Sequence, residues 1–399
     1  MANSLLTIDK ITNAALELAH EKVSFIGTIN RQFDAEFGRS SGKIGDTLRI
    51  RKPSQYTRRK GSRVMDVQDA EEQNTTLVTA TQDGVDMRFN SRELTLDLEN
   101  FVEQHLEPAM AVMVSGIESD VLQGCTKLTY NLAGTAGTPP ATLAGPGAAR
   151  AKLNQNLAPK DPRCIQMDSV TMGGMVEGLK GLFHEGKQIT KQYRDGLVQR
   201  TAMADYYENE RVWTMTNGAD VVGAINQASF TDGMTTMTID GMTAAPAVGS
   251  VFTIADVYQV HPETKAAYPH LQQFVVTADT TPTTTAISFS PAIYFSNGTD
   301  YARQNVNAIP VDSAALTWVG SASTSYAQSL MYHKDAFTFA TADLPIMPDA
   351  AKCVVKSRDG LSIRVWQSSD IRNDELLTRI DMLYGYAAIR PEWASRLTS

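Results

Sequence analysis

Thr47-Leu48-Arg49-Ile50-Arg51 and Val85-Asp86-Met87-Arg88-Phe89 are the stretches from which the rest of the chain is read. Each alternates apolar with polar residues, which sends successive side chains to opposite faces of an extended strand. Between them lies a long polar stretch whose charges are sorted by position. Arg49, Arg51, Lys52, Arg58, Arg59, Lys60 and Arg63 come first, with no acid among residues 49–63. Asp66, Asp69, Glu71, Glu72, Asp83 and Asp86 follow, with no basic residue among them. Paired as one long hairpin, the two strands set a basic limb beside an acidic one. The polar middle has too few apolar residues to anchor a core of its own, so an arm projecting from the body is expected.

Working outward toward the start, Ile8, Ile11, Ala15, Leu18, Lys22 and Phe25 recur at spacings of three and four, and Asp9 can cap a helix there. The stripe has two possible homes, the core of its own chain or a neighbouring subunit. In the other direction, residues 91–128 are helical in pattern. Pro108 lacks an N–H, so it must start or kink a helix. After it Met110, Met113, Val114, Ile117, Val121 and Cys125 form one stripe. From 108 to 125 a helix measures about 27 Å at its usual rise. Glycines and prolines between 134 and 147 then break the pattern.

Residues 148–156 read as helix, 163–167 as strand, 170–183 as helix and 211–215 as a short strand, which makes a mixed α/β unit. The composition then shifts. Between Arg211 and Arg303 the only Lys or Arg is Lys265, and threonine becomes frequent. Short strands are expected at 237–239, 251–254, 274–277 and 286–289, separated by Gly, Pro and Asp turns, as in a small sandwich or barrel. Residues 223–331 therefore read as an all-β module inserted into the α/β unit. Strands at 361–366 and 379–386 close the chain.

The 399 residues carry 36 basic and 44 acidic side chains, a net charge of −8. No apolar run approaches the roughly 18 residues of a membrane span. The first residues lack the basic and apolar regions of a signal peptide, so a soluble, cytosol-made protein is expected. Cys125, Cys164 and Cys353 match neither a disulfide framework nor zinc spacing. Nucleic-acid binding needs net positive surface, which this chain supplies poorly.

Catalytic motifs are scarce. Gly38-Arg39-Ser40-Ser41-Gly42-Lys43 is one residue short of a phosphate loop, and Ile44 stands where Ser or Thr is required. Ser40 and Lys43 form a Ser-x-x-Lys pair without its usual companions. Of six histidines, none lies three or four residues from another. His261 and His270 lie near Glu263, where a metal-using enzyme is imaginable; exposed loop histidines are the simpler reading. No catalytic residue, cofactor or metal site is expected. The basic run reads either as a solvated strand face or as a contact with acidic groups of a neighbouring subunit.

Two further stretches carry a family resemblance. Tyr193-Arg194-Asp195-Gly196-Leu197-Val198-Gln199-Arg200 precedes the Thr-rich module. Leu383-Tyr384-Gly385-Tyr386-Ala387-Ala388-Ile389-Arg390-Pro391-Glu392 lies near the end. With the order of segments, they resemble the major coat proteins of tailed phages with the Hong Kong 97 fold, and more narrowly the coat protein family of the short-tailed Salmonella phage P22. The resemblance implies an α+β capsid fold with an inserted all-β domain. Residues 1–40 would be the N-terminal arm, 41–90 an extended loop reaching over a neighbour, and 91–135 the peripheral domain with its spine helix. Residues 136–222 and 332–399 would form the axial domain and the rest of the peripheral domain, around the insertion at 223–331.

It further implies a structural protein of the virion, assembled in the host bacterial cytoplasm into an icosahedral shell. Its partners would be copies of itself in hexamers and pentamers, a scaffolding protein and a portal. The shell would enclose double-stranded DNA without reading its sequence. Arg49, Arg51, Lys52, Arg58, Arg59, Lys60, Arg63, Asp66, Asp69, Glu71 and Glu72 would make intersubunit contacts. The alternatives are an encapsulin-like compartment with the same fold, or the metal-using enzyme above.

Overall fold

The computed structural model describes residues 8–32, 47–58, 61, 65, 72–90, 105–179, 204–220, 222–278, 286–295, 301–347 and 352–399. The helices are α1 (Ile8–Lys22), α2 (Phe25–Thr28), α3 (Glu107–Leu128), α4 (Ala144–Gln155) and α5 (Ser169–Leu179). The strands begin with β1 (Thr47–Lys52), β2 (Gln73–Val78), β3 (Thr81–Asn90), β4 (Leu132–Ala133), β5 (Arg163–Met167), β6 (Asp205–Glu208) and β7 (Thr214–Thr216). A Thr-rich group follows: β8 (Val222–Ile225), β9 (Met234–Asp240), β10 (Val251–Val260), β11 (Ala267–Val276), β12 (Ala286–Ile293) and β13 (Ala315–Trp318). The last are β14 (Ser325–His333), β15 (Phe337–Ala342), β16 (Lys352–Arg358), β17 (Leu361–Asp370), β18 (Glu375–Ala388) and β19 (Ala394–Thr398). None of the described helices is long and apolar enough to cross a membrane.

The chain divides into two compact units. The first takes Met1–Ile50, Thr75–Val121 and Phe337–Ile389. Its sheet runs β15-β18-β17-β16, with β3 also paired to β18. Here the structure corrects the expected hairpin. The strand at 85–89 belongs to β3 and pairs with β18, while β1 takes β2 as its partner. Hydrophobic alternation marks both strands correctly but is silent on which edge each one meets. Gly84 and Gly385 explain part of the arrangement. A Cβ on Gly84 would collide with the carbonyl oxygen of Ile380, and one on Gly385 with that of Val78.

α1 lies on β16 and β17, so its stripe is covered by its own chain. Ile11, Ala15, Leu16 and Ala19 are buried, and Leu16 rather than Leu18 completes the stripe. Asp9 falls inside the helix, not ahead of it. Phe25 belongs to the separate α2, after which Asn30 bridges to β15 through Phe337 O and Phe339 N. Pro108 occupies the second position of α3, where its missing N–H removes no helical bond. All six residues of the expected α3 stripe are buried.

The second unit takes Arg51–Asn74, Leu122–Ala336 and Arg390–Ser399. Its sheet runs β4-β19-β14-β5-β6, with β7 on β14. The β5–β6 and β4–β19 pairs are parallel, and β14 is antiparallel to its partners. Ala149 and Leu153 of α4, with Met172 and Met175 of α5, pack on Ile165, Met167, Met331 and Leu397. β8 to β13 form a closed barrel in the order β10-β11-β12-β9-β8-β13, which leaves no free edge. Phe252 centres its core, 5.6 Å from Phe274, 6.2 Å from Phe289 and 5.0 Å from Trp318, ring to ring. The boundary expected at 331 falls inside β14, a strand of the six-stranded sheet, whereas the last barrel strand ends at Trp318.

Candidate intersubunit contact surface

β1 has two unlike faces. Ile50 turns inward to Leu77, Ala340, Ala387 and Ile389, with Leu48 packed against the same cluster. Arg49 and Arg51 point to solvent. The alternation thus works as a strand should: its apolar members anchor it while its arginines are held outward. Beyond Lys52 the chain leaves regular structure, and Arg58 is again exposed.

The basic and acidic limbs meet at one point among the described residues of this arm. Arg51 Nη1 lies 3.4 Å from Glu72 Oε2, with the two side chains 80% and 57% exposed. β2 itself, Gln-Asn-Thr-Thr-Leu-Val, carries no charge. Asp83 and Asp86, also in the acidic run, lie on β3, where Arg379 holds Asp86. Arg59, Lys60, Arg63, Asp66, Asp69 and Glu71 lie outside the described residues, as do 38–43, 91–104 and 193–200.

Lys52 differs from the other cations. Burial lowers its pKa; Glu392 opposes that effect and Arg390 adds to it. Lys52 is half-buried and lines a cavity. The sequence offers no sign of this, because Arg390 and Glu392 lie more than three hundred residues away along the chain.

The histidines of the barrel are engaged in its own architecture. His261 Nδ1 accepts the backbone amides of Glu263 at 3.1 Å and Thr264 at 3.2 Å, capping its own turn. His270 Nε2 lies 2.8 Å from Gln259 Oε1 and donates to it. Among the described residues no group of three or more His, Cys, Asp or Glu is placed to hold a metal ion.

A family model described as "P22 coat protein - gene protein 5" matches residues 85–396. Curated protein sequences yield no match. Among solved structures, one from Mycobacterium phage Che8 is 10% identical with a TM-score of 0.49, covering 94% of this chain and 90% of that one. The mature capsid of bacteriophage PhiM1 gives 9% identity and a TM-score of 0.41, over 88% and 81% of the two chains. The CUS-3 coat protein I-domain is 27% identical over 26% of this chain and 99% of its own, with a TM-score of 0.20.

Proposed function

Because the chain belongs to the P22 coat protein family, it is a structural major capsid protein of a tailed phage, and we propose that its basic strap is what grips neighbouring copies. The family match across residues 85–396 carries the coat-protein reading. The strap rests on a physical argument: a strand anchored by Leu48 and Ile50 presents Arg49 and Arg51 outward, and Arg58 follows. Arg59, Lys60 and Arg63 extend the positive run, and Asp66, Asp69, Glu71 and Glu72 give a neighbour's arginines something to meet.

In this reading residues 1–40 are the N-terminal arm, 41–90 the extended loop, and α3 the spine of the peripheral domain. The β8–β13 barrel is the insertion in a Hong Kong 97-type coat. Hexamers and pentamers close an icosahedral shell around double-stranded DNA, with a scaffolding protein and a portal, in the host cytoplasm. Exposed ion pairs suit such assembly. Each contributes about 0–1 kcal/mol, weak enough to let errors dissociate and sufficient when repeated. A net charge of −8 keeps packaged DNA from adhering to its container. The chain carries out no turnover of its own.

The test is assembly. The chain, expressed alone and with a scaffolding protein, should form closed particles by sedimentation and electron microscopy. A stable monomer at every concentration under both conditions overturns the reading. Reversing Arg58, Arg59 and Lys60 to Glu should leave the subunit folded but weaken assembly, most at low salt, where screening is least.

A further inference from the structure

The ion pair between Arg51 and Glu72 is a loose one. A single guanidinium nitrogen, Nη1, approaches Glu72 Oε2 at 3.4 Å, and the two side chains stay 80% and 57% exposed. A tight charge-assisted bond runs at about 2.7–2.9 Å, and a guanidinium has a whole fork of donors to offer. Arg379 on β18 shows the contrast, with two nitrogens donating to both carboxylate oxygens of Asp86. The strands that carry the loose pair are weakly braced as well. Among the described residues β1 and β2 form a sheet of two strands, with no third member.

The sorted charges limit what else the pair can find. Residues 49–63 contain no acid, so Arg51 has no counter-charge beside it along its own limb. Residues 66–86 contain no Lys or Arg, so Glu72 has none along its own. A second copy of the chain carries the same two limbs in the same order. To Arg51 the Glu72 of another copy is chemically the same partner as its own.

We infer that the Arg51–Glu72 pair is an intrachain latch, which adjoining copies exchange for the same pair made between chains. The inference rests on the strap reading above and adds its regulation. In a free subunit the partner on the same chain wins, because tethering gives it an effective concentration on the order of millimolar. In a shell a neighbour's limb is held alongside, and the two pairings compete on equal terms. Each chain then gives its guanidinium to a neighbour's carboxylate and its own carboxylate to a neighbour's guanidinium. One exposed pair replaces another, so the exchange changes the free energy little and subunits can join and part until they fit. The exchange also selects the partner, since only a chain with both limbs can return what it takes.

Reversing both charges tests the exchange without removing the latch. The double variant Arg51→Glu with Glu72→Arg keeps the bond within each subunit, so alone it should fold and assemble as the wild type does. Wild-type and reversed chains set like charges against each other wherever the pair is exchanged. Particles are assembled from an equal mixture of the two, one of them nitrogen-isotope-labelled, and cross-linked with glutaraldehyde. Neighbours of unlike kind should be about two- to fivefold rarer than random mixing gives, the effect of one exposed pair. Random co-assembly overturns the exchange and leaves the pair as a bond within the subunit.

A second mixture serves where the reversed chain does not assemble alone. Arg51→Glu and Glu72→Arg, each as a single substitution, lose the bond within the chain and meet like charge across a contact. Mixed, they can pair only between chains, and their threshold concentration for assembly should fall about two- to fivefold below that of either alone. Variants with the wild-type circular dichroism spectrum that gain nothing from mixing overturn the exchange alone. A wild-type chain that never assembles overturns the coat-protein reading beneath it.

Discussion

Arg379 sits directly opposite Asp86 across β18 and β3, and its Nε and Nη2 donate to the two carboxylate oxygens at 2.8 and 3.1 Å. Asp86 is the last acid of the run that follows the basic strap, yet its partner is neither in the strap nor near it in sequence. The pair helps hold β3 on β18, together with Arg88 and Glu375, 3.3 Å apart.

The bidentate bond from Arg379 lowers the Asp86 pKa; slight burial opposes this and the arginine's charge adds to it. A depressed folded pKa means that the stabilisation is present above the unfolded pKa and lost as pH falls through the folded one. The side chains are 67% and 47% exposed, so solvent screening keeps the pair weak. A double-mutant cycle of Asp86→Ala and Arg379→Ala should give a coupling of about 0.2–1 kcal/mol at neutral pH, vanishing in strong acid. Coupling that survives full protonation of the carboxylate would contradict this account.

Glu118 is wholly buried on α3, and its Oε1 accepts the backbone amide of Ser24 at 3.0 Å as well as that of Phe25. These amides open α2, where the donors of a helix start lack partners within the helix. Glu118→Ala should cost about 2–4 kcal/mol, since two donors lose their acceptor inside the protein. Glu118→Gln keeps an acceptor oxygen and should cost less. Chemical unfolding gives the energies, and hydrogen exchange at Ser24 and Phe25 locates them. Equal stability of all three proteins would refute the role.

Arg396 is fully buried and donates to Gly249 O at 2.6 Å and Lys127 O at 3.0 Å, with its guanidinium 5.6 Å from the centre of the Trp213 ring. Burial alone pushes its pKa down to about 9, so it remains charged at neutral pH. One side chain thus ties the turn before β10 to the end of α3. Arg396→Met leaves both carbonyls without their donor and should destabilise the chain by about 2–4 kcal/mol. Arg396→Lys should fall between, because a single ammonium cannot reproduce the planar fork. Trp213 fluorescence during unfolding reads the change. A Met variant as stable as wild type would show that the charge is dispensable there.

His270, on β11, faces Gln259 and Tyr268 of the barrel and lies near the charge of Lys152 on α4. Burial first and the Lys152 charge second push its pKa from 6.5 down to about 4. His333 shifts in the same direction, again chiefly through burial. The unfolded chain binds the proton more readily, so stability is full above about pH 6.5 and declines as pH falls toward 4. After allowance for solvent screening, His270 contributes on the order of 1 kcal/mol to this slope. His270→Gln should flatten it, as measured by urea unfolding across that window. An unchanged slope would place the acid sensitivity elsewhere.

What the sequence determined by itself is local. The α3 stripe, the strands at 163–167, 361–366 and 379–386, and the β-rich character of the Thr-rich segment all follow from periodicity and turn chemistry. These signals arise within a few residues, where side-chain direction is set by the backbone. The strap's basic run was equally legible, as was the family likeness at 383–392. Only the tertiary structure decided which strands pair. It gave β3 to β18, closed β8–β13 into a barrel, returned β14 to the larger sheet, and brought Lys52, Lys265, Arg303 and Arg390 around one cavity. Such pairings depend on the whole chain collapsing at once: an alternating strand fits many edges equally well, and distant charges carry no mark of their partner until the fold sets them face to face.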